Sequence, residues 1–90
     1  MPHQIHAYYR GRVQGVGFRF TVRELAGSLA VRGWVKNLSD GRVEVVAEAE
    51  EAALKAFLEE ISKYFFRYIQ DADVQWLTEA SGFKDFRVKF

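Results

Sequence analysis

The hydrophobic pattern of this chain changes period early, through one glycine-rich run: Gly11-Arg12-Val13-Gln14-Gly15-Val16-Gly17-Phe18-Arg19. Before the run, residues 4–10 alternate. Ile5, Ala7 and Tyr9 fall on one face and His6, Tyr8 and Arg10 on the other, the pattern of a strand. After it, Phe18, Val22, Leu25, Ala26 and Leu29 recur at three- and four-residue spacing, which predicts a helix over residues 18–32. Gly33 is placed to close that helix as a left-handed cap. Gly27 weakens its interior by up to about 1 kcal/mol relative to alanine. Turning a strand into a helix within a few residues needs backbone angles that glycine supplies most easily.

The same run has chemical potential. Successive amides in such a loop can point inward and form a concave anion site. The helix that follows adds its unpaired N–H groups and positive dipole end. Arg19 stands in the first turn, where a cation opposes the dipole. An anion between them removes the conflict, so the loop is expected to hold one small phosphate-like group. On spacing alone, an ordinary ligand-free turn accounts for the glycines equally well. Arg19 is then a surface arginine or the partner of Glu24.

The remaining segments build a fold around the run. Residues 34–38 read as a second strand, Ser39-Asp40-Gly41 as a hairpin turn, and residues 42–49 as a third strand. In that strand Val43, Val45 and Ala47 alternate against Glu44, Val46 and Glu48. Glu50 and Glu51 open a second helix, acids at its positive end, with the apolar stripe Leu54, Phe57, Leu58, Ile61 and Phe65. Residues 72–77 and 84–90 read as two last strands. Two helices with one apolar stripe each cover one face of a mostly antiparallel sheet. The expectation is an α+β, two-layer ferredoxin-like sandwich, βαββαβ plus a short C-terminal strand.

Ninety residues, 49% apolar and 16% aromatic, suit a single domain over residues 1–90 with a modest core. No cysteine is present for disulfides or thiolate metal sites. No apolar run approaches the roughly 18 residues of a membrane span, and the first residues lack a secretory pattern. A cytoplasmic protein is expected. The net charge of +1 hides an asymmetry: residues 1–43 carry seven basic and two acidic residues, residues 44–90 six basic and ten acidic. The loop lies in the positive half, which favours anionic ligands.

The run GRVQGVGFR resembles the signature loop of the acylphosphatase family, enzymes that hydrolyse carboxyl–phosphate mixed anhydrides. Residues 33–44, Gly-Trp-Val-Lys-Asn-Leu-Ser-Asp-Gly-Arg-Val-Glu, resemble that family's second motif, GWVxNxxDGxVE. The two stand in the right order and separation, and the element order agrees along nearly the whole chain. The resemblance implies that Arg19 and Asn37 are catalytic. It also implies that the amides of Gln14, Gly15, Val16, Gly17, Phe18 and Arg19 cradle phosphate. Substrate would be a small acyl phosphate attacked directly by water, with no metal and no cofactor. Inorganic phosphate or a similar anion would occupy the loop.

The chemistry agrees with those roles. A carboxylate leaving group departs without a general acid, so positioning and charge stabilisation suffice. Arginine grips two phosphoryl oxygens with a planar fork that lysine lacks. Asparagine has a donor and an acceptor with which to hold a water. The bland reading makes Asn37 a turn former before Asp40-Gly41. Asp40 and Gly41 are assigned to the hairpin. His3 and His6 are read as solvent-facing or packing residues, and Trp34 and Trp76 as core or half-buried packing residues.

Other phosphate motifs are missing: GxxxxGK(S/T) is absent, and Phe20 stands where a dinucleotide loop has its third glycine. A second reading is a non-catalytic binding or regulatory domain of the same fold, as at the start of hydrogenase-maturation carbamoyl transferases. The end of the chain at Phe90 favours the stand-alone enzyme. A third is a single-stranded RNA binder stacking bases on Tyr8, Tyr9 and Trp34. The glutamates of the third strand oppose it, and neither nucleic acid nor membrane is expected as partner. One segment departs from the family pattern: Tyr64 to Ile69 holds five large apolar or aromatic residues in six. Either the second helix runs longer and packs an enlarged core edge, or the segment is a self-association surface. A monomer is expected.

Overall fold

The computed structural model describes residues 2–90. The elements are β1 (His3–Gly11), α1 (Phe18–Ser28), β2 (Arg32–Asn37), β3 (Val43–Ala49), α2 (Glu51–Phe65), β4 (Ile69–Leu77) and β5 (Phe86–Lys89). They form one sheet in the order β4-β1-β3-β2-β5. β1 pairs antiparallel with β3 and β4, β2 antiparallel with β3, and β5 parallel with β2. This is the ferredoxin-like order with a fifth strand added at one edge.

Alternation decides which face carries the core. Ile5, Ala7, Tyr9, Val35, Val43, Val45 and Ala47 bury against Phe18, Val22 and Ala26 of α1 and Leu54, Phe57, Ile61 and Phe65 of α2. Phe18 joins three elements: its ring centroid lies 5.2 Å from that of Tyr9 and 4.7 Å from that of Phe65. Replacing a ring so enclosed by alanine costs about 3–5 kcal/mol. The start of α1 is therefore held by packing.

Two local expectations are corrected. First, α1 ends at Ser28 and Gly33 does not cap it. Val31 N donates to Ala26 O at 2.9 Å, the long bond of a Schellman turn, with Ala30 as its left-handed residue at φ 57°. Gly33 instead lies in β2 at φ 142°, where a Cβ would run into the carbonyl of Val46. The glycine serves close strand approach, and alanine takes the strained turn.

Second, α2 does not run on through residues 64–69. It ends at Phe65, Tyr68 N bonds back to Phe65 O at 2.9 Å, and β4 begins at Ile69. Phe65 enters the core, while Tyr64, Phe66 and Tyr68 stay 60%, 69% and 38% exposed.

Glu48 points away from the helices, as its alternation requires, and is only 1% exposed. Residues 81–83 fold across it. Its carboxylate accepts bonds from the amides of Ser81, Gly82 (3.0 Å) and Phe83 (3.2 Å) and from Gln4 Nε2 (2.6 Å). Burial pushes this carboxyl up, but the bonds from Ser81, Gln4, Phe83 and Gly82 outweigh it and hold it below the usual glutamate range. Because Gln4 Nε2 donates to Glu48, Gln4 Oε1 is left to accept from His6 Nε2 at 2.8 Å.

Candidate active site

The glycine run is anchored at both ends. Val13 and Phe18 are buried, at 1% and 2% exposure. Between them Gly15 (φ 77°) and Gly17 (φ 79°) are left-handed, whereas Gln14 and Val16 keep negative φ. Alternation of left-handed glycines with residues of negative φ is the pattern from which an anion nest can be built. Nothing crowds either glycine, so backbone angle and not space is what each supplies. Among the described residues no hydrogen bond uses the amides of Gln14, Gly15, Val16 or Gly17; the first helical bond is Thr21 N to Gly17 O at 3.1 Å. The helix start has no side-chain cap and no acid in its first turn. Neither a cap nor a first-turn acid compensates its positive end.

Arg19 is half-buried on the first turn of α1. Its Nη1 donates to Lys89 O at 3.4 Å. Its guanidinium carbon lies 4.8 Å from the ring centroid of Phe90 and 6.0 Å from that of Phe20. Among the described residues no ion pair joins it to Glu24 or another acid. It stands beside two rings with most of its donors free.

Asn37 is the last residue of β2, paired with Val43. Its Oδ1 is buried without a hydrogen-bond partner. A depression of about 590 Å³ lined by Lys36, Asn37, Leu38, Ser39, Asp40 and Arg42 opens beside it. The hairpin assignment of Asp40-Gly41 holds: Gly41 N donates to Leu38 O at 3.2 Å, and Asp40 accepts from Arg42 N at 3.1 Å and Arg42 Nε at 2.8 Å. The Arg42 amide leads the interactions that lower the Asp40 carboxyl below its ordinary value.

The topology gathers these pieces. β1, β2 and β5 end, and β3, β4 and α1 begin, at one end of the sheet. β5 sets Lys89 opposite Lys36, so the carbonyl that receives Arg19 sits across from the neighbour of Asn37. Gln14 Nε2 donates to Leu38 O (2.8 Å) and Arg42 O (3.0 Å), tying the glycine loop to the hairpin. Spacing gave no sign of Lys89, Phe90 or the Gln14 side chain as neighbours of the site.

The residues of the RNA reading are otherwise engaged. Tyr9 is 1% exposed in the core. Tyr8 donates to Glu44 and lies under Arg42, and the Lys89 ammonium sits 4.4 Å from the Trp34 ring centroid. Among the described residues no group of three or more His, Asp or Glu side chains is arranged to hold a metal.

The family model Acylphosphatase matches residues 5–88. The chain belongs to the acylphosphatase family. An acylphosphatase of Bacillus velezensis is 40% identical over 97% of this chain and 98% of its own length. One of Pseudomonas aeruginosa is 64% identical over 58% of this chain, a match spanning 57% of that relative. The crystal structure of acylphosphatase from Bacillus subtilis is similar at a TM-score of 0.90 and 35% identity, covering 98% of this chain and 99% of that one. The acylphosphatase match encloses both motifs, Arg19 and Asn37. No described helix is long and apolar enough to cross a membrane.

Proposed function

We propose that this member of the acylphosphatase family hydrolyses acyl phosphates at the sheet end where the glycine loop, Arg19 and Asn37 meet. Membership in the family supports acyl phosphate hydrolysis. One observation carries the assignment of residues. Among the described residues the amides of residues 14–17 have no partner and precede a helix N-terminus without a side-chain cap or first-turn acid, and the adjoining Arg19 has no acidic partner. Such a site is short of one anion.

The loop amides and the Arg19 fork hold the non-bridging phosphoryl oxygens, where charge must be stabilised as the transition state forms. Asn37 Oδ1 accepts a hydrogen bond from a water lying opposite the acyl oxygen. That water forms the new P–O bond as the bond to the acyl oxygen breaks. The bonding pair leaves with the carboxylate, and both water protons stay on the phosphate released. No strong base is needed, because the leaving group departs as a stable anion. The chain works as one catalytic domain over residues 1–90, a cytoplasmic monomer using neither metal nor cofactor.

The test is hydrolysis of a simple aryl acyl phosphate, with inorganic phosphate as a competitive inhibitor. Asn37→Ala lowers kcat by about tenfold to a hundredfold while phosphate still inhibits at similar concentration. A chelator leaves turnover unchanged. Phosphate binding without any hydrolysis would instead mark a binding domain of the same fold.

A further inference from the structure

We infer that the side chain of Gln14 is a positioning residue: it is the strut that fixes the phosphate loop against Asn37. The inference rests on the proposed function above and adds to it, since the sequence assigned Gln14 only a backbone amide.

The two halves of the site belong to separate parts of the fold. The loop continues β1 into α1, and its other hydrogen-bonded tie, Arg12 N to Tyr68 O at 2.9 Å, runs to the start of β4. Asn37 belongs to the β2–β3 hairpin. In the strand order β4-β1-β3-β2-β5 those anchors lie on opposite sides of β3. Among the described residues the only hydrogen bonds joining residues 12–18 to residues 37–42 are the two from Gln14 Nε2, to Leu38 O and Arg42 O.

The chemistry of those two bonds is unambiguous. Carbonyl oxygens only accept, so the carboxamide turns its nitrogen toward the hairpin and spends one N–H on each carbonyl. The hairpin it grips is itself closed, by Leu38 N to Arg42 O at 2.8 Å. Gln14 thus holds a rigid frame one residue from Asn37, while its own amide belongs to the anion nest. Direct attack on phosphorus requires the water and the phosphoryl group to share one line. A misplacement of about 1 Å can cost on the order of a hundredfold in rate. Gripping phosphate needs only the loop and Arg19, so losing the strut separates catalysis from binding.

The experiment uses two substitutions of similar length. Gln14→Met removes both donors; Gln14→Glu sets a carboxylate against two carbonyls. For Gln14→Met, kcat for an aryl acyl phosphate falls on the order of a hundredfold, while inhibition by inorganic phosphate stays within about twofold of wild type. Gln14→Glu falls further and partly recovers as acid protonates the new carboxyl into a donor. In an Asn37→Ala background, Gln14→Met removes little more, because the residue it positions is gone. Unchanged kcat in Gln14→Met overturns the inference. So does phosphate inhibition that weakens in step with kcat, or a loss that adds fully to that of Asn37→Ala. Thermal melting checks that both variants are folded at the assay temperature. If the wild type turns over and Arg19→Lys does not, failure of the Gln14 variants touches the strut alone. If the wild type itself fails to hydrolyse the substrate, the function and the strut fall together.

Discussion

Two segments of this protein carry a run of backbone amides around left-handed glycine, and they differ in whether the chain supplies an acceptor. Residues 81–83 donate to the carboxylate of Glu48, an anion the chain supplies. Residues 14–17 donate to nothing among the described residues. Gly82 and Gly17 even share a φ of 79°, and neither would meet another atom through an added Cβ. The first cradle is closed by its own chain and holds the fold. The second has no acceptor among the described residues, and on the proposed function a substrate supplies it. The comparison separates the two cradles by a criterion other than shape: whether an internal acceptor satisfies the amides.

The largest effect is expected on the open cradle. Arg19→Lys replaces a two-pronged donor with a point charge and should cost about 3 kcal/mol or more of transition-state stabilisation, over a hundredfold in turnover, with thermal stability nearly unchanged. Near-normal turnover would break the distinction by showing that the open cradle is not catalytic.

Next is the closed cradle. Glu48→Gln keeps an acceptor but removes the charge, and should cost about 1–3 kcal/mol of stability by denaturant melts. Assayed well below its melting temperature, it should keep turnover near wild type. A parallel fall in kcat would mean that the clamp reaches Arg19 through β5. The pH dependence follows from the depressed Glu48 carboxyl. Its folded pKa lies below its unfolded one. Its contribution is therefore complete above the ordinary glutamate range, about pH 4.3. It fades as pH falls through the lower, folded value. Acid melts of wild type and Glu48→Gln should converge there; a constant gap at all pH values would contradict this.

The paired glycines give a finer test. Gly17→Ala and Gly82→Ala each force a left-handed alanine and should each cost about 1 kcal/mol in stability. Only Gly17→Ala should also weaken inhibition by phosphate. The smallest effect is on Ala30, already left-handed at φ 57°. Ala30→Gly should gain up to about 1 kcal/mol in thermal melts, with activity unmoved.

Much of the candidate site's local structure was legible because its signals are local. The strand–glycine–helix switch at residues 11–19 and the Asp40-Gly41 turn are written in spacings of a few residues. The errors arose where one local pattern has two uses. Gly33 after a helical run looks like a cap, but only the approach of Val46 shows that the strand needs it. The aromatic run from Tyr64 reads as a longer helix or as a self-association surface; the structure ends the helix at Phe65, which enters the core, and leaves Tyr64, Phe66 and Tyr68 exposed. The burial of Glu48 was not legible, because alternation records the face and not what later folds over it.

The sequence by itself determined the periods of the elements, the side each strand presents to the helices, the glycines that bend the loop, and the cation that follows it. These depend on backbone sterics and side-chain type acting over a turn or a pleat. Tertiary structure alone decided the rest. It brought Lys89 O to Arg19 across 70 positions of chain, put the Gln14 carboxamide between two hairpin carbonyls, and closed one amide cradle with Glu48 while leaving the other open. Those contacts come from strand order and register, set by burial summed over the whole sheet, and no short stretch of residues encodes that sum.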